Sequence, residues 1–247
     1  MVENENNVIA KVKEYHEELK QIHSFVSERL LPMLDIKLKE REPNDKDMSL
    51  RDTFIRMYLV IGSILKLNHY KDFHVLASIT RTLFELYIDM HLLNQELIPN
   101  GLKKFANFTE AKKFSIAEAR RNWAMEKKFP FDEKCPQRAE YLRQNQVQNM
   151  PKKIKELWGR QTCPNHWSGL SLADRVGKLG TDFIEMYIKL YDLGNWYTHS
   201  GPLDWQFLGD GTITNAIAGL AYGSASKMLR ECCNICVSIF NLNYDRT

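Results

Sequence analysis

Arg81 and Glu85 stand four residues apart in the otherwise largely apolar run Arg81-Thr82-Leu83-Phe84-Glu85-Leu86-Tyr87-Ile88-Asp89. Residues at that spacing share one side of a helix. A second polar ladder, Tyr191, Asn195 and His199, has the same spacing and stops at Ser200-Gly201-Pro202. If the two faces meet, an Arg, a Glu, a Tyr, an Asn and a His converge inside an apolar bundle. Buried ionisable groups are costly unless paired, so such a cluster is either a structural clamp or a site. As a site, it has the parts for metal-free RNA cleavage. That reaction needs a base for the 2′-hydroxyl, an acid for the leaving oxygen and a cation for the phosphate. His199 titrates near neutrality and stands by a helix C-terminus, where the dipole favours its charged form. Arg81 offers a planar fork to phosphate. Glu85 would orient Arg81 or His199, and Tyr191 and Asn195 would donate hydrogen bonds. As a clamp, Glu85 pairs with Arg81, Tyr191 and Asn195 satisfy buried backbone groups, and His199 caps its helix.

A second group of residues is basic. Lys103-Lys104, Lys112-Lys113, Arg120-Arg121 and Lys127-Lys128 recur along one segment, with Phe105, Phe108, Phe114, Trp123 and Phe129 between them. Lys113, Arg120 and Lys127 are seven apart and line one helical face. Cations interleaved with aromatic rings suit RNA or single-stranded DNA, so Lys112, Lys113, Arg120, Arg121 and Lys127 are the candidate nucleic-acid-binding residues. Glu110, Glu118 and Glu126 dilute the stripe and fit an ordinary solvated helix instead.

Cys163-x-x-His166 and Cys233-x-x-Cys236 have zinc-like spacing. The stronger reading is structural: Cys232, Cys233 and Cys236 lie in an apolar helix where free Cys acts as a small hydrophobe. His166-Trp167-x-Gly169 reads as a loop that packs Trp and turns at Gly. Gly-rich phosphate loops, His-Glu-x-x-His and Gly-x-Ser-x-Gly are absent from the sequence. No metal and no cofactor is expected. Gly219-x-x-x-Gly223, among small alanines, allows a close helix approach, either in the core or at a dimer seam. A small-molecule pocket lined by Tyr191, Trp196 and Trp205 is a further option.

The elements that must position these groups are helices. Hydrophobic residues follow a helical period almost throughout, and no run alternates as a strand does. The first helix is expected over about residues 5–41, bent at Pro32. Ser49 is expected to cap a second helix ending near His69, and Asp72 a third, which carries Arg81 and Glu85 and stops before Pro99. A basic helix runs from Asn100-Gly101 to about Lys128. A loop between Pro130 and Pro136 leads to a helix from about Gln137 to Trp158. Ser171 caps a short helix, one from about Thr181 to His199 carries the second polar face, and the last spans about 213–241. The expected architecture is one all-α multi-helix bundle over 1–247, with 101–160 as a basic helical insertion or subregion.

Bulk composition agrees with a folded, water-soluble chain. Of 247 residues, 44% are hydrophobic and 26% charged. Net charge is +3, yet residues 101–160 carry 15 basic and 7 acidic side chains, a local +8 that favours an anionic partner. The acidic start Met1-Val2-Glu3-Asn4-Glu5 is unlike a signal peptide, and Lys227, Arg230 and Glu231 interrupt the longest apolar run. A cytoplasmic protein without a membrane span is expected. Five unevenly spaced cysteines argue against a disulfide framework.

Arg81-x-x-x-Glu85, His166-Trp167-x-Gly169, and Tyr191 followed by His199-Ser200-Gly201-Pro202 carry a resemblance. In order and spacing, over about residues 50–240, they resemble an uncharacterised bacterial helical family, a domain of unknown function often found near phage-defence genes. Asn195-x-x-x-His199 is also similar to the polar residue and His of the HEPN superfamily, helical domains that include metal-independent ribonucleases and toxins. Where those carry Arg, this chain has Gly194, and Arg81 is the expected substitute. The resemblance implies a HEPN-like effector acting on RNA, a ribonuclease or toxin-type antiviral defence protein. Implied partners are RNA, a second copy of the chain, and a protein of the same defence operon. The alternative is a non-enzymatic interaction or ligand-sensing subunit of such a system.

Overall fold

Proline placement shapes the first element of the computed structural model, which describes residues 2–40, 42–67, 72–127, 149–192 and 211–242. Helix α1 covers Val2–Phe25, a π-helical turn covers Val26–Leu30, and α2 continues over Leu31–Glu40. The expected bend at Pro32 is therefore a widened turn just ahead of it. Pro32 has no N–H to give the carbonyl four residues back, and its ring crowds that carbonyl. The turn opens, and the Leu31 N–H reaches five residues back to the Val26 oxygen. Val26 and Leu30 stay buried through it.

Helix α3 spans Asp45–Ile64 and is capped by Asn44 rather than Ser49. Asn44 Oδ1 accepts the Asp47 N–H at 2.9 Å, and Asp47 Oδ2 accepts the Asn44 N–H at 3.3 Å. This reciprocal box satisfies two otherwise orphaned donors. Ser49 lies inside the helix, its hydroxyl donating back to the Asp45 carbonyl at 2.6 Å. Helix α4, Phe73–Asn94, begins after Asp72, whose side chain makes no capping bond. Helix α5, Gly101–Glu126, follows Asn100 in the left-handed region (φ 55°). Helix α6 runs from Met150, with Pro151 in its first turn, to Trp158, and Gly159 (φ 65°) ends it. The loop and helix expected before Met150 fall on 128–148, outside the described residues. Helix α7 covers Leu172–Gly177 and α8 Thr181–Met186, which opens into a π-helical segment over Tyr187–Asp192. Helix α9 covers Gly211–Ile239. Among the described residues there is no strand, in keeping with the all-helical periodicity.

Contacts divide the chain into two compact units, residues 1–95 with 172–247, and residues 96–171. In the first, α1 packs along α9, α3 lies against α4, and α9 touches both. Phe54, Met57 and Ile61 of α3, Leu83, Phe84 and Tyr87 of α4, and Ala225, Met228 and Cys232 of α9 fill its core. The Gly219-x-x-x-Gly223 face is used here: a Cβ on Gly219 would stand 3.3 Å from Val12, and one on Gly223 3.5 Å from the Tyr15 ring. The small residues of α9 thus seat the apolar side of α1. In the second unit, α5 and α6 close on Ala111, Met150, Ile154 and Cys163, with Phe108, Phe114 and Trp158 around them.

Candidate functional site

The polar face of α4 is three residues deep. Arg81, Glu85 and Asp89 follow at intervals of four, and helical geometry stacks them on one side. Arg81 Nε lies 3.6 Å from Glu85 Oε1. Arg175 of α7 reaches the same face: its Nη2 is 3.3 Å from Glu85 Oε2 and its Nη1 2.9 Å from Asp89 Oδ1. Exposure falls along the ladder, from side chains 31% and 34% exposed at Arg81 and Glu85 to 7% and 3% at Asp89 and Arg175. The inner end is a charge pair sealed from water, which alternation of sign makes tolerable. The outer end is partly exposed.

Tyr191 completes that outer end. Its hydroxyl accepts a hydrogen bond from Arg81 Nη2, and the Arg81 guanidinium carbon lies 4.4 Å from its ring centroid. Tyr187 stacks on Tyr191, centroids 5.1 Å apart and 22° from parallel. Both tyrosines come from the π-helical segment, a departure from α-geometry common where a helix serves a site. Two of the expected convergences are therefore in place: Arg81 with Glu85, and Arg81 with Tyr191. Asn195 and His199 lie outside the described residues, as do Trp196 and Trp205.

Sequence reasoning assigns no role to Asp89 and does not single out Arg175. Asp89 carries a readable signal, since it continues the four-residue ladder. Arg175 carries almost none, because its partners on α4 are 86 and 90 positions away. A further cluster also escapes it. Tyr87 donates to Glu231 Oε2 of α9, and His91 Nε2 stands 3.9 Å from the same oxygen. Phe183 packs on both rings, 5.6 Å from Tyr87 and 4.9 Å from His91. Burial holds the His91 ring below its ordinary pKa, with Glu231 opposing, and burial together with Glu231 pushes the Tyr87 hydroxyl up. These groups are kept in their neutral forms.

The basic candidates divide. Lys112 Nζ donates to Asn165 Oδ1 at 3.1 Å and to the Pro164 carbonyl at 3.4 Å, tying α5 to the 159–171 loop. Lys113 pairs with Glu110 at 2.8 Å and Lys127 with Glu126 at 3.5 Å, all on the surface. Arg120 is exposed. The Arg121 side chain lies outside the described residues.

The His166-Trp167-x-Gly169 motif builds the corner of the second unit. His166 Nδ1 accepts the Ser168 N–H at 3.2 Å, and the Gly169 N–H closes a turn on the His166 carbonyl at 2.9 Å. Gly169 has φ 77°, which favours glycine. Trp158 Nε1 donates to the Trp167 carbonyl at 2.7 Å, and Trp167 is buried against the edge of Phe105. Cys163 belongs to the core beside it, its thiol pushed up by burial. Burial raises the Cys232 and Cys236 thiols too, and pushes Cys233 up to about 12. Such thiols are packing groups rather than nucleophiles. Among the described residues no three His, Cys, Asp or Glu side chains gather as metal ligands. No described helix is long and apolar enough to cross a membrane.

No curated protein and no solved structure matches the chain significantly. A family model does match, over residues 47–212, which takes in Arg81, Glu85, Asp89, Arg175 and Tyr191 as well as the His-Trp-x-Gly corner. That span is more than half of the 247 residues, and the chain belongs to the family of unknown function DUF5677.

Proposed function

We propose that this protein is a HEPN-like helical effector that acts on RNA, a metal-independent ribonuclease or toxin-type protein of a bacterial defence system. The observation that carries the reading is the meeting of Arg81 with Tyr191 across 110 positions of sequence. It joins the α4 face to the segment leading to Asn195 and His199, as the reading requires. Arg81 binds the scissile phosphate through its half-exposed guanidinium. His199 takes the proton of the 2′-hydroxyl, whose oxygen attacks phosphorus. The 5′-oxygen leaves and takes a proton from a second acid, leaving a 2′,3′-cyclic phosphate and a 5′-hydroxyl. A symmetric dimer supplies that second acid as the other copy's histidine. Glu85 and Tyr191 hold Arg81 in place, and Asn195 donates a hydrogen bond to the phosphate.

The test is cleavage of single-stranded RNA by purified protein without divalent metal, with product ends identified. His199→Ala is expected to abolish cleavage while its thermal unfolding stays close to wild type. Arg81→Ala is expected to cut the rate at least about a hundredfold, the scale of a lost transition-state contact. Unchanged cleavage in both variants would overturn the proposal.

A second reading has its own support. Arg175, sealed between Glu85 and Asp89, is what a structural clamp requires. The protein is then a non-enzymatic interaction or ligand-sensing subunit, and no RNA-cleaving activity is expected from any preparation of it.

A further inference from the structure

On α5 the exposed side chains Lys113, Ile116, Arg120 and Trp123, with Lys127 one residue past its end, recur at steps of three and four residues. At 3.6 residues per turn they fall within an arc of about 80° and run about 21 Å along the helix. The opposite side of α5 carries Phe108, Ala111 and Phe114 into the core of its unit. Ile116 and Trp123 are 44% and 54% exposed. Each stands between two cations of the row. Lys112, about 20° outside that arc, is engaged with the 159–171 loop through Pro164 and Asn165.

We infer that this row is a docking strip for single-stranded RNA. The three cations recur about every 10 Å and meet phosphates, and the Trp123 indole, with Ile116 one heptad before it, offers a face to unpaired bases. Charge selects a polyanion: Lys113 and Lys127 pair on the surface with Glu110 and Glu126, and exposed pairs of that kind give way at little cost. An anionic membrane fits less well. An interfacial helix inserts a continuous apolar face between charged flanks, whereas here two apolar side chains alternate with lysine and arginine in a single file. A duplex offers no unstacked base to the indole. In choosing RNA over DNA the inference rests on the proposed function, but it concerns binding and residues other than those proposed to cleave. Binding without cleavage would remove the nuclease and leave the strip.

The experiment uses the full chain and a fluorescein-labelled single-stranded RNA of about 12 nucleotides, within the usual site size. Affinity is read by anisotropy over a series of salt concentrations, with RNA integrity checked on a gel. Wild type is expected to bind with a log–log salt slope of about −2, since each phosphate contact contributes about 0.7 for a single strand. Arg120→Glu is expected to weaken binding at least tenfold, on the order of two altered charge contacts, and Trp123→Ala at least about fivefold. Both positions are on the surface, so thermal unfolding of each variant should match wild type. Unchanged affinity in Arg120→Glu and Trp123→Ala overturns the strip. So does equal or tighter binding to single-stranded DNA, to duplex RNA or to phosphatidylserine-containing vesicles.

Discussion

Two arginines touch Glu85, and they do different work. Arg175 is 3% exposed and holds both Glu85 and Asp89, so its removal leaves a buried carboxylate without its guanidinium. Arg175→Ala is expected to cost about 3–5 kcal/mol, read as a lowered urea midpoint at unchanged m-value. Arg81 sits at the more exposed end, where it pairs with Glu85 and donates to the Tyr191 phenol. Arg81→Ala should cost about 1–2 kcal/mol and leave a folded protein. The buried clamp on α4 is thus made mainly by Arg175, with Arg81 at the more exposed end of the ladder. Equal losses in the two variants would contradict this division.

Among the elements, α9 shows how one helix serves several neighbours. Its small face admits α1, and its other side carries Cys232, Cys236 and Glu231 toward the core and α4. The two glycines predict opposite outcomes. Gly219 already has Val12 at the limit of contact, so Gly219→Leu should destabilise by about 1–3 kcal/mol through overpacking. At Gly223 the Tyr15 ring leaves ordinary van der Waals room for a methyl. Gly223→Ala should therefore gain up to about 1 kcal/mol from helix propensity. Thermal melts of the two variants decide it, and destabilisation by both would mean that α1 approaches more closely than described. The two π-helical turns are also element-scale devices. The first follows from Pro32; the second, at Tyr187–Asp192, has no proline and instead aligns two tyrosines beside Arg81.

At the scale of the whole molecule, stability should depend on pH through buried histidines. Burial lowers His91 and His23 below the ordinary value of 6.5, with Glu231 partly opposing at His91 and a backbone hydrogen bond at His23. As pH falls through 6.5 the unfolded chain takes up protons while the folded chain stays neutral, so folding loses free energy. The loss continues until the folded-state values are reached. The urea midpoint at pH 5.5 is expected to lie below that at pH 7.5, and the double variant His23→Gln/His91→Gln should narrow the gap. A midpoint that rises on acidification, or a gap unchanged in the double variant, would show that other groups govern acid stability.

Local pattern determined much of this. Helical period named the fold class, Gly159 and the turn at Asn100-Gly101 marked element ends, and four-residue spacing put Arg81 beside Glu85. All of these follow from interactions within one or two turns, which sequence spacing encodes directly. The cap of α3 was also local, yet it lies at Asn44, whose reciprocal bonds with Asp47 start the helix five residues ahead of the expected Ser49. Packing alone decided that Gly219 seats Val12, that Lys112 holds a loop while Lys113 faces water, and that Arg175 lies between two carboxylates of another helix. Such pairings join residues far apart in the chain, and an isolated Arg in a six-residue helix has no periodicity to announce its partner. Burying a charge is affordable only where the fold supplies the opposite one, and that is set by how helices pack rather than by any single helix.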